Sequence, residues 1–168
     1  MKKIILASLL LITSTIVFAQ TNWVTQKVDD KLSIKFPGKP EVAEQAGMFA
    51  ATFESDNKVK YILNTMDFAA LGLDSATLTP MLETEEFSGQ LIGGMKGKME
   101  GFDFSEVKTE KWKGFTYFSL DATNKEKKVK MYFKILFIGS KMYNMLCAYP
   151  DGVAPDTKDT FFNSTELL

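Results

Sequence analysis

The chain has 168 residues with 20 basic and 21 acidic side chains, a formal charge of −1, and a length that suits one domain with a sizeable core. Every basic residue is lysine, so the planar guanidinium fork that reads phosphates and guanine edges is missing, and nucleic-acid binding is not expected. Histidine is absent too, which removes the commonest general base, the Ser-His and Cys-His nucleophile pairs and the usual zinc ligand.

In chain order, Lys2-Lys3, an apolar run from Ile4 to Phe18 and small Ala19 form the pattern of a cleavable secretory leader over residues 1–19. The run is broken by Ser8, Thr13, Ser14 and Thr15 and is shorter than the ~20 residues a bilayer core requires. Cleavage near Ala19/Gln20 is therefore expected, leaving residues 20–168 as a single exported domain, periplasmic or secreted, with no transmembrane segment. Loss of the two leader lysines leaves 18 basic and 21 acidic residues, a formal charge of −3. Cys147 is the only cysteine, so no internal disulfide can form and packing must hold the fold together. The thiol sits in the apolar stretch Lys141 to Tyr149 and reads as a small buried hydrophobe.

Leu32-Ser-Ile-Lys-Phe36 alternates apolar and polar residues and stops at Pro37-Gly38-Lys39-Pro40, which predicts a strand closed by a turn. Gly47 to Glu54 and Val59 to Asp67 flank Ser55-Asp56-Asn57-Lys58 and predict a hairpin. The period then changes. Thr79 as N-cap with Pro80 at the first helical position predicts a long helix reaching to Gly101. Glu83, Glu85 and Glu86 lie early in it and Lys96 and Lys98 late, the order that the helix dipole favours.

Phe104 to Trp112, Phe115 to Ala122, Val129 to Ile138 and Met142 to Tyr149 follow as strands on short connectors, which predicts an antiparallel meander. Ala154 to Leu168, with Phe161, Phe162 and Leu167-Leu168 among polar residues, predicts a terminal amphipathic helix. The sum is an α+β protein: an antiparallel sheet of six to seven strands, a long helix between two strand groups and a C-terminal helix.

The opening Leu32-Ser-Ile-Lys-Phe-Pro-Gly-Lys-Pro40, the order of elements after it and the closing Phe161-Phe-Asn-Ser164 resemble the Mog1/PsbP-like α/β/α sandwich over most of the mature chain. A lipocalin-like or NTF2-like α+β fold is the alternative. Members of the resembled fold bind protein partners, a small GTPase in one branch and photosystem II in another, and the resemblance implies a binding role without carrying over any residue of either activity.

Candidate sites are sparse. Glu83, Glu85, Glu86 and Asp121 could supply a carboxylate pair for hydrolysis, but no spacing selects a pair, and acids in a first helical turn are ordinarily solvated. Gly93-Gly-Met-Lys-Gly-Lys98 fails the phosphate-loop pattern, since Ile92 stands where glycine is needed and Met99 where a hydroxyl is needed. Met95 and Met99, one turn apart, raise a copper site, yet methionines at core spacing read as packing. Asp151, Asp156 and Asp159 near Gly152 do not match a calcium loop. No cofactor or metal is expected. Asp74-Ser75-Ala76 resembles an O-glycosylation acceptor, and Asn163-Ser-Thr165 fits the N-linked pattern of a eukaryotic secretory host.

One regularity remains: Gly89, Gly93, Gly97 and Gly101 recur every four residues. At 100° per residue they share one arc of the predicted helix, opposite Phe87, Leu91, Ile92, Met95, Met99 and Phe102. A weak or broken helix explains this, and so does a bare stripe on which a protein partner docks. Three functional expectations follow. The first is a non-catalytic binding or assembly-accessory module of the cell envelope. The second is a carrier of a small hydrophobic ligand in a Phe- and Met-lined cavity, and the third is a carboxylate-only hydrolase.

Overall fold

The structure, a computed structural model, describes residues 23–168; the leader expected over residues 1–19 lies outside them. Among the described residues eleven strands form two sheets. The small one holds β1 (Val24–Lys27), β2 (Leu32–Phe36) and β11 (Glu166–Leu167), in the order β1-β2-β11.

The large sheet is built from β3 (Glu41–Gln45), β4 (Met48–Glu54), β5 (Lys60–Asp67), β6 (Asp103–Phe104), β7 (Lys108–Trp112), β8 (Phe115–Asn124), β9 (Val129–Ile138) and β10 (Lys141–Pro150). Its order is β3-β4-β5-β10-β9-β8-β6, with β7 also on β8, and every pair is antiparallel. The last long strand, β10, sits beside β5 and so joins the two strand groups into one sheet. The expected α+β class and meander hold. The strand total exceeds six to seven because β1, β3 and the two-residue strands are additional.

Turn chemistry explains the tight hairpins. Ala46-Gly47 joins β3 to β4 with φ of 51° and 78°, and Lys113-Gly114 joins β7 to β8 with φ of 49° and 85°. Two successive positive φ values make the turn whose twist matches that of the strands, and glycine takes one of them without strain.

The large sheet carries a core on each face. Tyr132, Leu136 and Ile138 of β9 pack with Leu32, Ile34 and Phe36 of β2 on one side. Phe133, Ile135 and Phe137 pack on the other with Leu78, Leu82 and Phe118, beneath the helices. A strand buried on both faces is apolar at consecutive positions, as Tyr132 to Ile138 nearly is.

The helical region departs from expectation at its start. Asp74, not Thr79, caps the first helix, α1 (Ser75–Met81), by accepting the Thr77 N–H at 2.8 Å, and Pro80 lies inside it. The Thr79 hydroxyl instead donates back to the Ser75 carbonyl at 2.7 Å, a bond that competes with capping. Thr84 then caps α2 (Glu85–Lys98), with Glu85 and Glu86 in the first turn and Lys96 and Lys98 in the last. Its apolar arc, Phe87 to Met99, faces the sheet as predicted.

Two further differences matter. The terminal helix, α3, is confined to Lys158–Asn163, and the chain after it returns as β11. Ser164 explains the turn: its hydroxyl accepts the Lys35 N–H at 2.9 Å and pulls the terminus onto β2. The strand expected from Phe104 to Trp112 is broken into β6 and β7. Phe104 pairs with Ala122 and Lys108 with Ser119, so three residues face two across the gap, a bulge. The Ser105 N–H donates to the Asp121 carbonyl and its hydroxyl accepts the Asp121 N–H, both at 2.9 Å, which closes that gap.

Candidate functional site

The bulge decides what β7 presents. Without the extra residue Lys108 would share a face with Phe104, which packs beneath the helices; with it, every later side chain is turned over. Lys108, Glu110 and Trp112 therefore stand opposite Ser119, Tyr117 and Phe115 of β8, on the face that also bears the small sheet. That sheet and α3 pack with residues of β4, β5, β10 and β9. Beyond them a cleft of about 480 Å³ lies over β7, β8 and β9, with α3 as its far wall; Lys108, Glu110, Tyr117, Ser119, Lys134 and Lys158 are in its lining.

Lys134 is the unusual member. It is 6% exposed, yet it forms no ion pair among the described residues. Its ammonium donates to the Phe162 carbonyl at 3.2 Å and lies 4.8 Å from the centre of the Tyr117 ring and 5.9 Å from that of Trp112. Burial lowers its pKa below the ordinary lysine value, while the Glu110 carboxylate acts in the opposite direction. A buried cation needs compensation, and one carbonyl with two ring faces supplies only part of it.

Glu110 stands at the exposed edge of the same cleft, where Ser119 Oγ donates to its Oε2 at 3.1 Å. The Tyr117 hydroxyl is pushed up, first by burial and then by that carboxylate. Around the rim, Asp121 pairs with Lys130 at 3.3 Å and Asp159 with Lys158 at 3.4 Å. Glu106, Glu110, Lys108 and Lys134 are the cleft's charged groups without an ion-pair partner among the described residues. They balance, two against two.

The expected sites lie apart from this cleft. A Cβ built at Gly89, Gly93 or Gly97 meets nothing within 4 Å, so these three edge onto open space, as does Gly94. Gly101 falls beyond the helix end with φ of 77°, where a Cβ would come 3.1 Å from Asn124 Nδ2. It is a turn residue, so the helical stripe comprises three of its four members.

Glu83 pairs with Lys111 at 2.6 Å, Glu85 and Glu86 are exposed at the start of α2, and of the four proposed acids Asp121 alone reaches the cleft. Met95 and Met99 pack in the helix-side core, whereas Met48, Met66 and Met81 are exposed rather than packed. Cys147 is buried, and burial pushes its thiol well above the usual range. Asp74 of the glycosylation triplet serves as the cap of α1. Among the described residues no group of three His, Cys, Asp or Glu side chains is placed to hold a metal ion, and no helix is long and apolar enough to cross a membrane. Lys134 itself was missed, although a lysine between Phe133 and Ile135 in the otherwise apolar run from Met131 to Ile138 was a legible signal.

A large antiparallel sheet with helices on one face and a small sheet with a short helix on the other defines a PsbP-like α+β fold. It is similar in particular to the solution structure of PsbP from the cyanobacterium Synechocystis sp. PCC 6803, with a TM-score of 0.58 at 9% identity over 87% of this chain and 92% of that one. A crystal structure from Bacteroides thetaiotaomicron is a weaker match, with a TM-score of 0.38 at 11% identity over 82% of this chain and 45% of that one. No protein-family model and no curated protein sequence matches the chain.

Proposed function

We propose that residues 20–168 form one exported, non-catalytic binding module of the cell envelope or secreted fraction, and that the cleft at Lys134 is where it binds. The observation that carries this reading is the set of four unpaired charges in the cleft, one of them on a buried lysine. Balanced charges that their own chain leaves without ion-pair partners gain from an outside partner that carries both signs. The likeness of fold to PsbP supports an accessory role.

The titrating groups support the non-catalytic half. Burial raises the Cys147 thiol and the Tyr143 and Tyr149 hydroxyls, which makes each a poorer nucleophile or base. Burial shifts Lys134 the other way, and its ammonium is held by the Phe162 carbonyl beside two rings. The hydrophobic-carrier alternative has less support: Phe87 stacks on Phe118 at 6.0 Å and meets Phe137 edge to face at 5.8 Å, filling the space beneath α2 where that ligand would sit.

Fractionation of the native host bearing the tagged full-length chain tests the reading. The expected product is in the envelope fraction or the medium and begins at Gln20; a chain beginning at Met1 and retained in the cytoplasm would overturn export. The stripe of Gly89, Gly93 and Gly97 remains a proposed contact for a protein partner. If so, a folded Gly93→Leu/Gly97→Leu variant recovers less of whatever co-purifies with the wild type, and equal recovery would sink that surface.

A further inference from the structure

We infer that the Lys134 cleft takes a small zwitterion, a molecule with one carboxylate and one ammonium group such as a free α-amino acid or a short peptide. This rests on the cleft being the binding site of the module. Lys134 sets one half of the ligand. A lysine 6% exposed whose ammonium has a single carbonyl acceptor has donor capacity left over, and a carboxylate is the strong partner for it.

The other half follows from the acids. Glu106 and Glu110 lack a cationic partner, whereas Asp121 and Asp159 are already paired with Lys130 and Lys158. A phosphate or any polyanion entering toward Lys134 would meet the two unpaired glutamates, and like-charge contact is costly where the dielectric is low. A simple cation would meet Lys134 and Lys108. A ligand bearing one charge of each sign satisfies Lys134 through its carboxylate and the glutamates through its ammonium, and leaves the cleft neutral.

Size and lining agree with this. The volume of about 480 Å³ lies toward the small end of the range for ligand sites, which is about 300–1,000 Å³. Tyr117 supplies ring surface beside Lys134, and Ser119 holds Glu110 in place.

Calorimetric and thermal-shift titrations of the mature chain purified from its host would use glycine, L-alanine, L-lysine and triglycine as zwitterions. Acetate, methylamine and inorganic phosphate serve as single-charge controls. At least one zwitterion is expected to bind and raise the unfolding temperature at a concentration where acetate, methylamine and phosphate do not. Free amino acids and triglycine separate the two sources of the same chemistry. Lys134→Met is expected to weaken that binding at least tenfold, and Glu110→Gln, a milder change at the exposed edge, to weaken it several-fold.

The inference is overturned if no zwitterion binds, if Lys134→Met binds equally well in a folded protein, or if acetate or phosphate binds as tightly as the zwitterions. In the last case, loss of acetate or phosphate binding in Lys134→Met would preserve the binding-module reading while removing the ligand class. Chemical turnover of a bound zwitterion would do the reverse.

Discussion

Lys134, which is buried, and Asp29, which is half-buried, show two ways in which this chain holds charge. Asp29 is compensated by several donors. Burial pushes its carboxyl upward, but hydrogen bonds from Lys141, Tyr143 and the Lys31 N–H together hold it below its ordinary 3.8. Tyr143 Oη donates at 2.7 Å, and Lys141 pairs at 2.8 Å. A carboxyl held low stabilises the fold above its ordinary pKa, and that contribution is lost as pH falls through the lower folded value. Tyr143→Phe should cost about 1 kcal/mol and raise the midpoint of acid unfolding, because Asp29 loses a donor. An unchanged midpoint in an acid titration followed by circular dichroism would count against this account.

Lys134 has the opposite sign. Its folded pKa lies below 10.5, so the unfolded chain binds more protons and folding is disfavoured at neutral pH. Lys134→Met should therefore match or exceed the wild type in stability at neutral pH, by zero to about 2 kcal/mol. The gap should narrow as pH rises toward 10.5. The Phe162 carbonyl keeps a donor in the variant, since Thr165 Oγ1 reaches it at 3.2 Å. Thermal melts across that pH range read both features, and a clear loss of stability at neutral pH would refute them.

At the scale of elements, α2 is held weakly. None of its side chains is fully buried, and four of its fourteen residues are glycines with open space about them. Glycine in a helix interior costs about 0.5–1 kcal/mol relative to alanine. Gly93→Ala with Gly97→Ala should thus stabilise by about 1–2 kcal/mol. Gly101→Ala should destabilise, since it forces a Cβ onto φ of 77° and toward Asn124. Denaturant unfolding of both variants checks the contrast, and the same sign for both would show that the helix face is not open as described. The bulge between β6 and β7 is equally local in form, but its effect is not. One extra residue reverses the facing of Lys108, Glu110 and Trp112, and the cleft depends on that reversal.

Across the molecule, α3 ties the small sheet to the large one. Phe161 is fully buried with ring centres 5.2 Å from Phe36 and 5.4 Å from Tyr61, one on each sheet. The Thr157 hydroxyl meets the hydroxyls of Tyr61 and Tyr149 below it. Phe161→Ala should cost about 3–5 kcal/mol, and because Phe162 follows directly, it should also loosen the carbonyl that Lys134 uses. A loss under 1 kcal/mol in urea unfolding would mean that the two sheets are joined by something else.

Local pattern by itself determined the strand at Leu32–Phe36, the long strands from Phe115 onward, the buried cysteine and the apolar arc of α2. Each of these depends on alternation, turn residues or a helical period readable within about ten positions. Weakly patterned pieces escaped it: β3 is exposed along its whole length, and only Ala46-Gly47 hinted at a hairpin. The choice of Asp74 over Thr79 as cap turned on which hydroxyl or carboxylate was free to face the helix start. The cleft was beyond sequence reading because its residues come from β7, β8, β9 and α3, and because a one-residue bulge sets which face they share. Lys134 looked anomalous in the chain, but whether its charge had a partner was decided only by what the tertiary structure placed around it.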